Sequence, residues 1–216
     1  MEKRHLVIAP TNSTADDTYS YSNGQQYIRF DISNSGILIA KDLRFEFEVE
    51  FFKSNNAVPT MAEDYNIDPT IAYQSLIQTL NITSRSYQTS MERINQYPRL
   101  AKHIIGQLHS KSDCDNGLFV EQHSRGYGNT EDNDKVLPHG LGLNPQILAA
   151  RKMVAKKNKV SFRLLCGLCL SDPLDLDASN GLTFELTLNN NSAVLFGTAA
   201  VDGYYQISKP RIHAPV

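Results

Sequence analysis

The chain has 216 residues and a formal net charge of -2, with 41% hydrophobic and 20% charged residues. These values are typical of a folded globular protein and exclude a disordered chain. The balanced charge argues against tight nucleic-acid binding over the whole surface. The length fits a single domain whose core is large enough to fold without a disulfide or a structural metal.

The cysteine count and the lengths of the hydrophobic runs indicate the cellular environment in which we expect the chain to fold. Cys114, Cys166 and Cys169 are an odd number, which indicates a reducing environment and no disulfide framework. The apolar run before Pro10 is too short for a signal peptide. No run approaches the length that spans a membrane, so we expect no membrane span.

The first 25 residues are predicted to form an N-terminal arm. His5–Ala9 is short and apolar, and Pro10 ends it. Thr11–Gln25 is rich in Ser, Thr, Asn and Asp and contains an Asn-Gly turn signal. We therefore expect residues 1–25 to be an arm and residues 26–216 to be one domain.

Alternating segments predict β-strands on both sides of the chain's middle. In Leu43–Phe52, apolar residues alternate with Arg and Glu, which places all the charges on one face of a strand. Tyr27–Ile32 and Leu182–Leu188 alternate in the same way. Strands are also expected at Ser75–Ser84 and Val160–Leu170, and two short final strands at Ala193–Phe196 and Tyr204–Ser208.

The middle of the chain is predicted to be an insertion of helix and loop over about residues 89–155. Thr89-Ser90-Met91-Glu92 has the spacing of a capping box, which predicts a helix over Met91–Ile105, kinked or divided at Pro98. Gly106–Lys135 is a long polar loop. With about eight strands and no βαβ rhythm, the fold class is an all-β sandwich.

Candidate chemical sites are few, and each has a structural explanation. Cys166 and Cys169 form a CxxC, but a strand would point them to opposite faces, so we interpret both as core residues. His109, Cys114 and His123 match no usual zinc spacing. Asp172, Asp175 and Asp177 could bind Ca²⁺, but Asp is also common in turns. The Glu131–Asp134 cluster has the same two readings, and His139 is interpreted as a turn residue.

No catalytic motif occurs in the sequence. We therefore predict no catalytic, cofactor-binding or metal-binding residue and no enzyme activity. A basic run is either a solvated connection or a weak contact with packaged nucleic acid or another acidic partner. It consists of Arg151, Lys152, Lys156, Lys157 and Lys159.

Three stretches carry a resemblance to a known family. The first is a Ser/Thr-rich lead into YIRFDISNSG and LRFEFEVEFF, and the second is SLIQTLNITSRSYQTSMERINQYPRLAKHI. The third is VSFRLLCGLCLSDPLDLDASNGLTFELTLNNNSAVLFG followed by YYQISKPRI. This order of features resembles the vertical jelly-roll capsid proteins of icosahedral DNA viruses, such as virophage and polinton-like coat or penton proteins.

The resemblance implies a single jelly-roll β-sandwich of about eight antiparallel strands, and a structural role. Such a protein would assemble with itself, as a pentamer or trimer, or with other capsid proteins into an icosahedral shell. It would be found in the virion after assembly in the host cytoplasm or nucleus. Many proteins of this lineage carry two jelly rolls, so this chain would be a single coat subunit, a penton or half of a double jelly roll. Candidate inter-subunit contacts are Thr11–Gln25, Gly106–Lys135 and Lys209–Val216.

Two alternatives come from other jelly-roll proteins. A lectin-like β-sandwich could stack sugars on tyrosines, although Trp is absent; the candidates are Tyr19, Tyr21, Tyr127, Tyr204 and Tyr205. A cupin-like enzyme would need clustered His and carboxylate ligands on strands. Here the histidines fall mostly in predicted loops or near the termini.

Overall fold

A computed structural model describes residues 4–13, 16–33, 36–59, 66–68, 71–105, 157–170, 173–197, 200 and 202–216. The strands of this part are β1 (His5–Ile8), β2 (Thr18–Tyr19), β3 (Tyr27–Ile32), β4 (Ile37–Leu38), β5 (Arg44–Phe52), β6 (Asn66–Ile67), β7 (Ile77–Ser84), β8 (Ser90–Ile94), β9 (Asn158–Arg163), β10 (Leu174–Asp175), β11 (Leu182–Leu188), β12 (Leu195–Phe196) and β13 (Tyr204–Pro215). The helices are α1 (Tyr97–His103), α2 (Leu176–Ser179) and α3 (Asn191–Val194), with 3-10 turns at Ala40–Asp42, Ala72–Leu76 and Leu168–Leu170.

Two antiparallel sheets form the body of the molecule. Sheet I has the order β1-β13-β5-β9, with β2 also paired to β13, and sheet II has the order β3-β11-β7-β8. Among these eight main strands, the first pairs with the last, the second with the seventh, the third with the sixth and the fourth with the fifth. This nested pairing is the jelly roll. The predicted fold class is therefore confirmed.

Strict alternation explains why β5 occupies its place. Phe45, Phe47, Val49 and Phe51 are buried, whereas the Arg and Glu residues between them are half-buried on the outer face. A shift of one residue would bury the charges, so the pattern fixes the register. β3 and β11 have the bounds that their alternation predicts.

One hydrophobic core lies between the sheets. Phe30 of sheet II meets Phe45 of sheet I edge to face, with ring centroids 5.9 Å apart. Phe45 also contacts Phe47 at 4.9 Å and Phe162 at 5.8 Å. Each such buried ring contributes about 1.5–3 kcal/mol before the entropy cost. The Phe30–Phe45 contact joins the two sheets, and the other two contacts pack Phe45 within sheet I.

The predicted helix over Met91–Ile105 is wrong in its first part. Residues Ser90–Ile94 form β8, which pairs with β7 across a bulge at Ile82/Thr83. α1 begins only at Tyr97, with Pro98 in its first turn. Proline is tolerated there because the first-turn N–H groups have no partner inside the helix. The capping-box match at Thr89-Ser90-Met91-Glu92 therefore does not mark a helix start.

The C-terminal strands also differ from the prediction. β9 ends at Arg163, and the rest of the predicted strand to Leu170 is a turn followed by a 3-10 turn. Residues Asn191–Val194 form α3, because the side chain of Asn190 accepts a hydrogen bond from the Ser192 N–H and caps a helical turn.

β13 is longer than its predicted span of Tyr204–Ser208. Its register against β5 shifts between Ser208 and Arg211. Lys209 there has φ of 50°, and Pro210 has no N–H to donate. The bulge absorbs both residues, so the strand continues to Pro215. The predicted contact segment Lys209–Val216 thus lies largely in the middle of sheet I.

The segment predicted as an N-terminal arm is paired into the sandwich. β1 pairs with β13 over Ile212–Pro215, and β2 pairs with it over Ile207–Ser208. Thr11 and Asn12 then bond to the edge of β3: Thr11 N–H donates to the Arg29 carbonyl at 2.7 Å, and Arg29 N–H donates to Asn12 Oδ1 at 2.9 Å. These bonds cover an edge that would otherwise be open to another strand.

Candidate interaction surfaces

The outer face of sheet I carries a row of glutamates, Glu46, Glu48 and Glu50, which we call the glutamate row. Lys159 lies 3.0 Å from Glu46, and Lys157 lies 3.4 Å from Glu48 and 3.8 Å from Glu50. These lysines come from β9 and the residue before it. The row is therefore neutralised within the chain.

Glu48 is also approached from the other side. Its carboxylate lies 3.3 Å from Lys209 Nζ of β13. Burial tends to raise the pKa of Glu48, but hydrogen bonds from Lys209 and Lys157 outweigh that and hold the pKa below its ordinary value. Glu48 therefore stays charged at neutral pH.

This pairing bears on the basic run. The structure gives Lys157 and Lys159 carboxylate partners inside the chain. Arg151, Lys152 and Lys156 lie outside the described residues. The predicted nucleic-acid contact stays a prediction, and two of its five residues have another role.

The outer face of sheet II is polar in a different way. Thr79 Oγ1 donates to Thr187 Oγ1 at 2.7 Å, and Asn81 Nδ2 donates to Glu185 Oε2 at 3.0 Å. These bonds join β7 to β11 across the sheet. Hydroxyl and amide donors therefore link neighbouring strands on sheet II, as lysine–glutamate pairs do on sheet I.

The CxxC is a core feature, as predicted. Cys166 and Cys169 are buried and free. Their hydrogen bond and burial raise the pKa of Cys169 far above its ordinary value, so that thiol stays protonated and is a poor nucleophile or metal ligand. Glu92 fixes the intervening turn by accepting from the N–H groups of Gly167 at 2.7 Å and Leu168 at 2.9 Å.

One premise about this motif was wrong. The two cysteines do not lie on a strand with opposite orientations; they follow β9 in a turn and a 3-10 turn. That turn brings the two thiols to each other. The two N–H bonds to Glu92 are the interaction that sequence reasoning missed, since no local signal connects a β8 carboxylate with a turn 75 residues later.

The other candidate ligands do not converge in the described residues. Asp175 caps α2, with Oδ1 accepting from the Asp177 N–H at 3.0 Å, which is the turn role of Asp. No group of three or more His, Cys, Asp or Glu in the described part is arranged to hold a metal ion. The remaining candidates lie outside that part: His109, Cys114, His123, Glu131, Asp132, Asp134, His139 and Asp172.

Most of the tyrosines proposed for sugar stacking are buried, stacked on another ring or outside the described residues. Tyr19 and Tyr205 are buried. Tyr204 stacks on Phe52 with ring centroids 5.0 Å apart. Tyr21 is exposed, and Tyr127 lies outside the described residues.

Within the described ranges, no helix combines the length and the apolar character that crossing a bilayer would require.

Comparison with known proteins gives structural relatives only. No family model and no curated protein sequence matches the chain. A chain of the Sputnik virophage, solved by cryo-electron microscopy, matches with a TM-score of 0.54 and 13% identity over 100% of this chain and 47% of that one. The mavirus major capsid protein matches with a TM-score of 0.39 and 13% identity over 98% of this chain and 45% of that one.

PBCV-1 VP54, fitted into a reconstruction of Sputnik, matches with a TM-score of 0.43 and 11% identity, covering 99% of this chain and 42% of that one. This chain thus spans less than half the length of each of these proteins. The resemblance to jelly-roll capsid proteins predicted from the sequence is confirmed at the level of the fold, on the Sputnik chain.

Proposed function

We propose that this chain is a structural coat protein that assembles with itself or with other coat proteins into an icosahedral shell. One observation carries the proposal: the whole chain, with its nested eight-strand pairing, matches 47% of a virophage chain at a TM-score of 0.54. The proposal assigns no catalytic residue. It places the protein in the virion, as a pentamer, a trimer or a penton component, after assembly inside the host cell.

The charges suggest which surfaces meet in such an assembly. A neighbour packed flat on the glutamate row would take several lysine–glutamate pairs out of water. Desolvation of buried ion pairs costs several kcal/mol per ion, by order of magnitude. We therefore place the contacts between copies at edges and ends of the sandwich.

β1 is the edge that fits this role best. Within the described residues it pairs with β13 on one side only, so its other side presents unpaired N–H and C=O groups. Its inward residues Leu6 and Ile8 pack against the core, whereas Val7 points outward and is 60% exposed. An unpaired strand edge with an exposed apolar residue is a template for a second chain.

Mass photometry over a concentration series, followed by electron microscopy, tests the coat role. We expect pentamers, trimers or shells. A chain that stays monomeric at every concentration overturns the proposal, and saccharide binding by that monomer would favour the lectin-like alternative.

Two matched substitutions test the β1 edge separately. Val7→Asp should weaken assembly at least tenfold in midpoint concentration, because it adds a charge to the edge, where about 1.4 kcal/mol is tenfold in an equilibrium constant. Val58→Asp is the control, since Val58 is also an exposed valine (44%) but lies in the loop after β5. Equal effects of the two substitutions would contradict the β1 contact and leave the coat role standing.

A further inference from the structure

A shallow polar depression lies on the outer face of sheet II, near the β7–β8 hairpin. Its volume is about 530 Å³, which is in the range of small-ligand sites. We call it the arginine basin and define it by Arg29, Thr83, Arg85, Gln88, Thr183 and Glu185.

The hydrogen-bonding groups of the arginine basin are only partly used. Thr183 donates to Asp31 at 2.6 Å and keeps its lone pairs. Thr83 accepts from Asn81 at 3.3 Å and keeps its O–H. Glu185 accepts from Asn81 through Oε2, which leaves the second carboxylate oxygen for a donor. The basin thus offers both donors and acceptors, as hydroxyl-rich ligands require.

The two arginines of the basin differ in charge compensation. Arg29 is paired with Asp31 at 3.4 Å. Arg85 is exposed, and among the described residues its guanidinium has no ion pair or hydrogen bond. Its backbone is fixed, since its N–H donates to the Gly181 carbonyl at 3.2 Å. An exposed guanidinium that has no bonded partner among the described residues is available to an anionic group.

Two exposed tyrosines are near neighbours of basin residues along the chain. Tyr87 is 74% exposed and lies in the turn between the basin residues Arg85 and Gln88. Tyr27 is 58% exposed and shares the outward face of β3 with Arg29, two residues along the strand. Aromatic faces beside hydroxyl-binding groups suit the apolar faces of sugar rings.

We propose that the arginine basin binds an acidic saccharide, with Arg85 holding its carboxylate or sulfate and the threonines and Glu185 holding its hydroxyls. Arg85 has no bonded carboxylate and takes the acidic group, whereas Glu185, Thr83 and Thr183 supply acceptors and donors for the sugar hydroxyls. The site is independent of the coat role and of the β1 edge.

Ligand-observed NMR titration of the full chain tests this with three probes: 3′-sialyllactose, lactose and a sulfated heparin disaccharide. We expect saturable binding of one or both acidic probes and at least tenfold weaker binding of lactose. The acidic probe that binds identifies whether carboxylate or sulfate is the group recognised.

Arg85→Gln should weaken acidic-probe binding about tenfold or more, the loss that follows removal of a charge-assisted hydrogen bond. Arg93→Gln is the matched control, because Arg93 is an exposed arginine of β8 outside the basin, bonded to Asn95 at 2.9 Å. Both variants should assemble like the unmodified chain.

Three results would overturn the proposal: no saturable binding of either acidic probe, equal weakening by both substitutions, or binding of a hexaglutamate peptide without binding of the saccharides. The last result would assign the basin to an acidic protein segment. None of these results bears on the assembly measurements.

Discussion

The two outer faces of the sandwich link their neighbouring strands through different interactions. On sheet I, the glutamate row is neutralised by lysines from both neighbouring strands, with N–O distances of 3.0–3.8 Å. On sheet II, hydroxyl and amide groups bond across the strands, as in the 2.7 Å bond between Thr79 and Thr187. Lysine–glutamate pairs link the strands of sheet I, whereas hydroxyl and amide donors link the strands of sheet II, one of them in the neutral Thr79–Thr187 bond.

The difference matters for function. Ion pairs respond to salt and pH, whereas neutral hydrogen bonds respond to neither over ordinary ranges. A face already neutralised by its own chain offers little to a charged partner. Beside sheet II, in the turn after β7, Arg85 has no bonded carboxylate among the described residues, and the proposed anion site rests on this arginine.

The largest expected effect comes from the core that both faces share. Phe45→Ala should lower the free energy of unfolding by about 3–5 kcal/mol, because it removes a ring that contacts both sheets and leaves a cavity. Urea unfolding combined with amide exchange in β5 and β11 measures it. Equal loss of protection in both strands is expected, whereas loss confined to β5 would show that the sheets unfold separately.

Phe52→Ala is the control for that experiment. Phe52 is half-buried on β5 and stacks on Tyr204 instead of facing sheet II. Its loss should cost clearly less than the loss of Phe45 and should not reduce protection in β11.

A smaller effect is expected at a polar bridge between the sheets. The Tyr205 hydroxyl of β13 lies 2.5 Å from the carbonyl of Asn189, which follows β11, and 3.3 Å from that of Leu76, which precedes β7. Tyr205→Phe should cost about 1–2 kcal/mol, because the carbonyl of Asn189 loses the hydroxyl donor, whereas that of Leu76 still accepts from the Asn189 N–H. Chemical denaturation at pH 7 measures this, with exposed Tyr87→Phe as the control.

The same bridge predicts a dependence on alkaline pH. Burial raises the pKa of Tyr205 well above its ordinary value of 10.0, and burial together with Asp17 raises that of Tyr19 to about 12. Above pH 10 the unfolded tyrosines lose protons that the folded chain retains, so stability should fall from pH 10 upward. The fall should be smaller in Tyr205→Phe, and equal slopes would contradict the assignment.

Strand alternation predicted the central strands because it depends only on which face is buried. Tyr27–Ile32 and Leu182–Leu188 each bury one face against the same core, and their bounds follow from that. Ser90–Ile94 is an edge strand with little burial, so its sequence has no such alternation. A chance match to the capping-box spacing therefore led to the wrong prediction of a helix. Edge strands depend on a partner, here β7, that local sequence does not reveal.

The surfaces were less predictable than the fold for the same reason. Arg and Glu in Leu43–Phe52 predicted a strand face that carries all the charges. The structure confirms that face and adds the partners of Glu46 and Glu48, which are Lys159 of β9 and Lys157 just before it, more than a hundred positions away in the chain. The arginine basin likewise combines residues of β3, β7 and β11, which meet only after the jelly roll has formed.

The smallest expected loss of stability comes from a substitution in the glutamate row, which we compare with one on the outer face of sheet II. Glu48→Gln should cost about 0.2–1 kcal/mol at low salt, as exposed ion pairs do. Most of that cost should disappear in 1 M NaCl, where the screening length falls to about 3 Å. Thr79→Val, on sheet II, should cost about 0.5–1.5 kcal/mol at either salt concentration, because a neutral bond is lost.

Low pH distinguishes the same two substitutions, Glu48→Gln and Thr79→Val, in a second way. Because the pKa of Glu48 is lowered in the folded chain, its contribution is present above the ordinary value of 4.5 and is lost as the pH falls through and below it. The difference in stability between Glu48→Gln and the unmodified chain should therefore shrink from pH 7 to pH 3, whereas that of Thr79→Val should not change. A cost of Glu48→Gln that persists at pH 3 and in 1 M salt would mean that Glu48 acts through packing. The contrast between the ion pairs of Glu48 and the neutral Thr79–Thr187 bond would then be wrong.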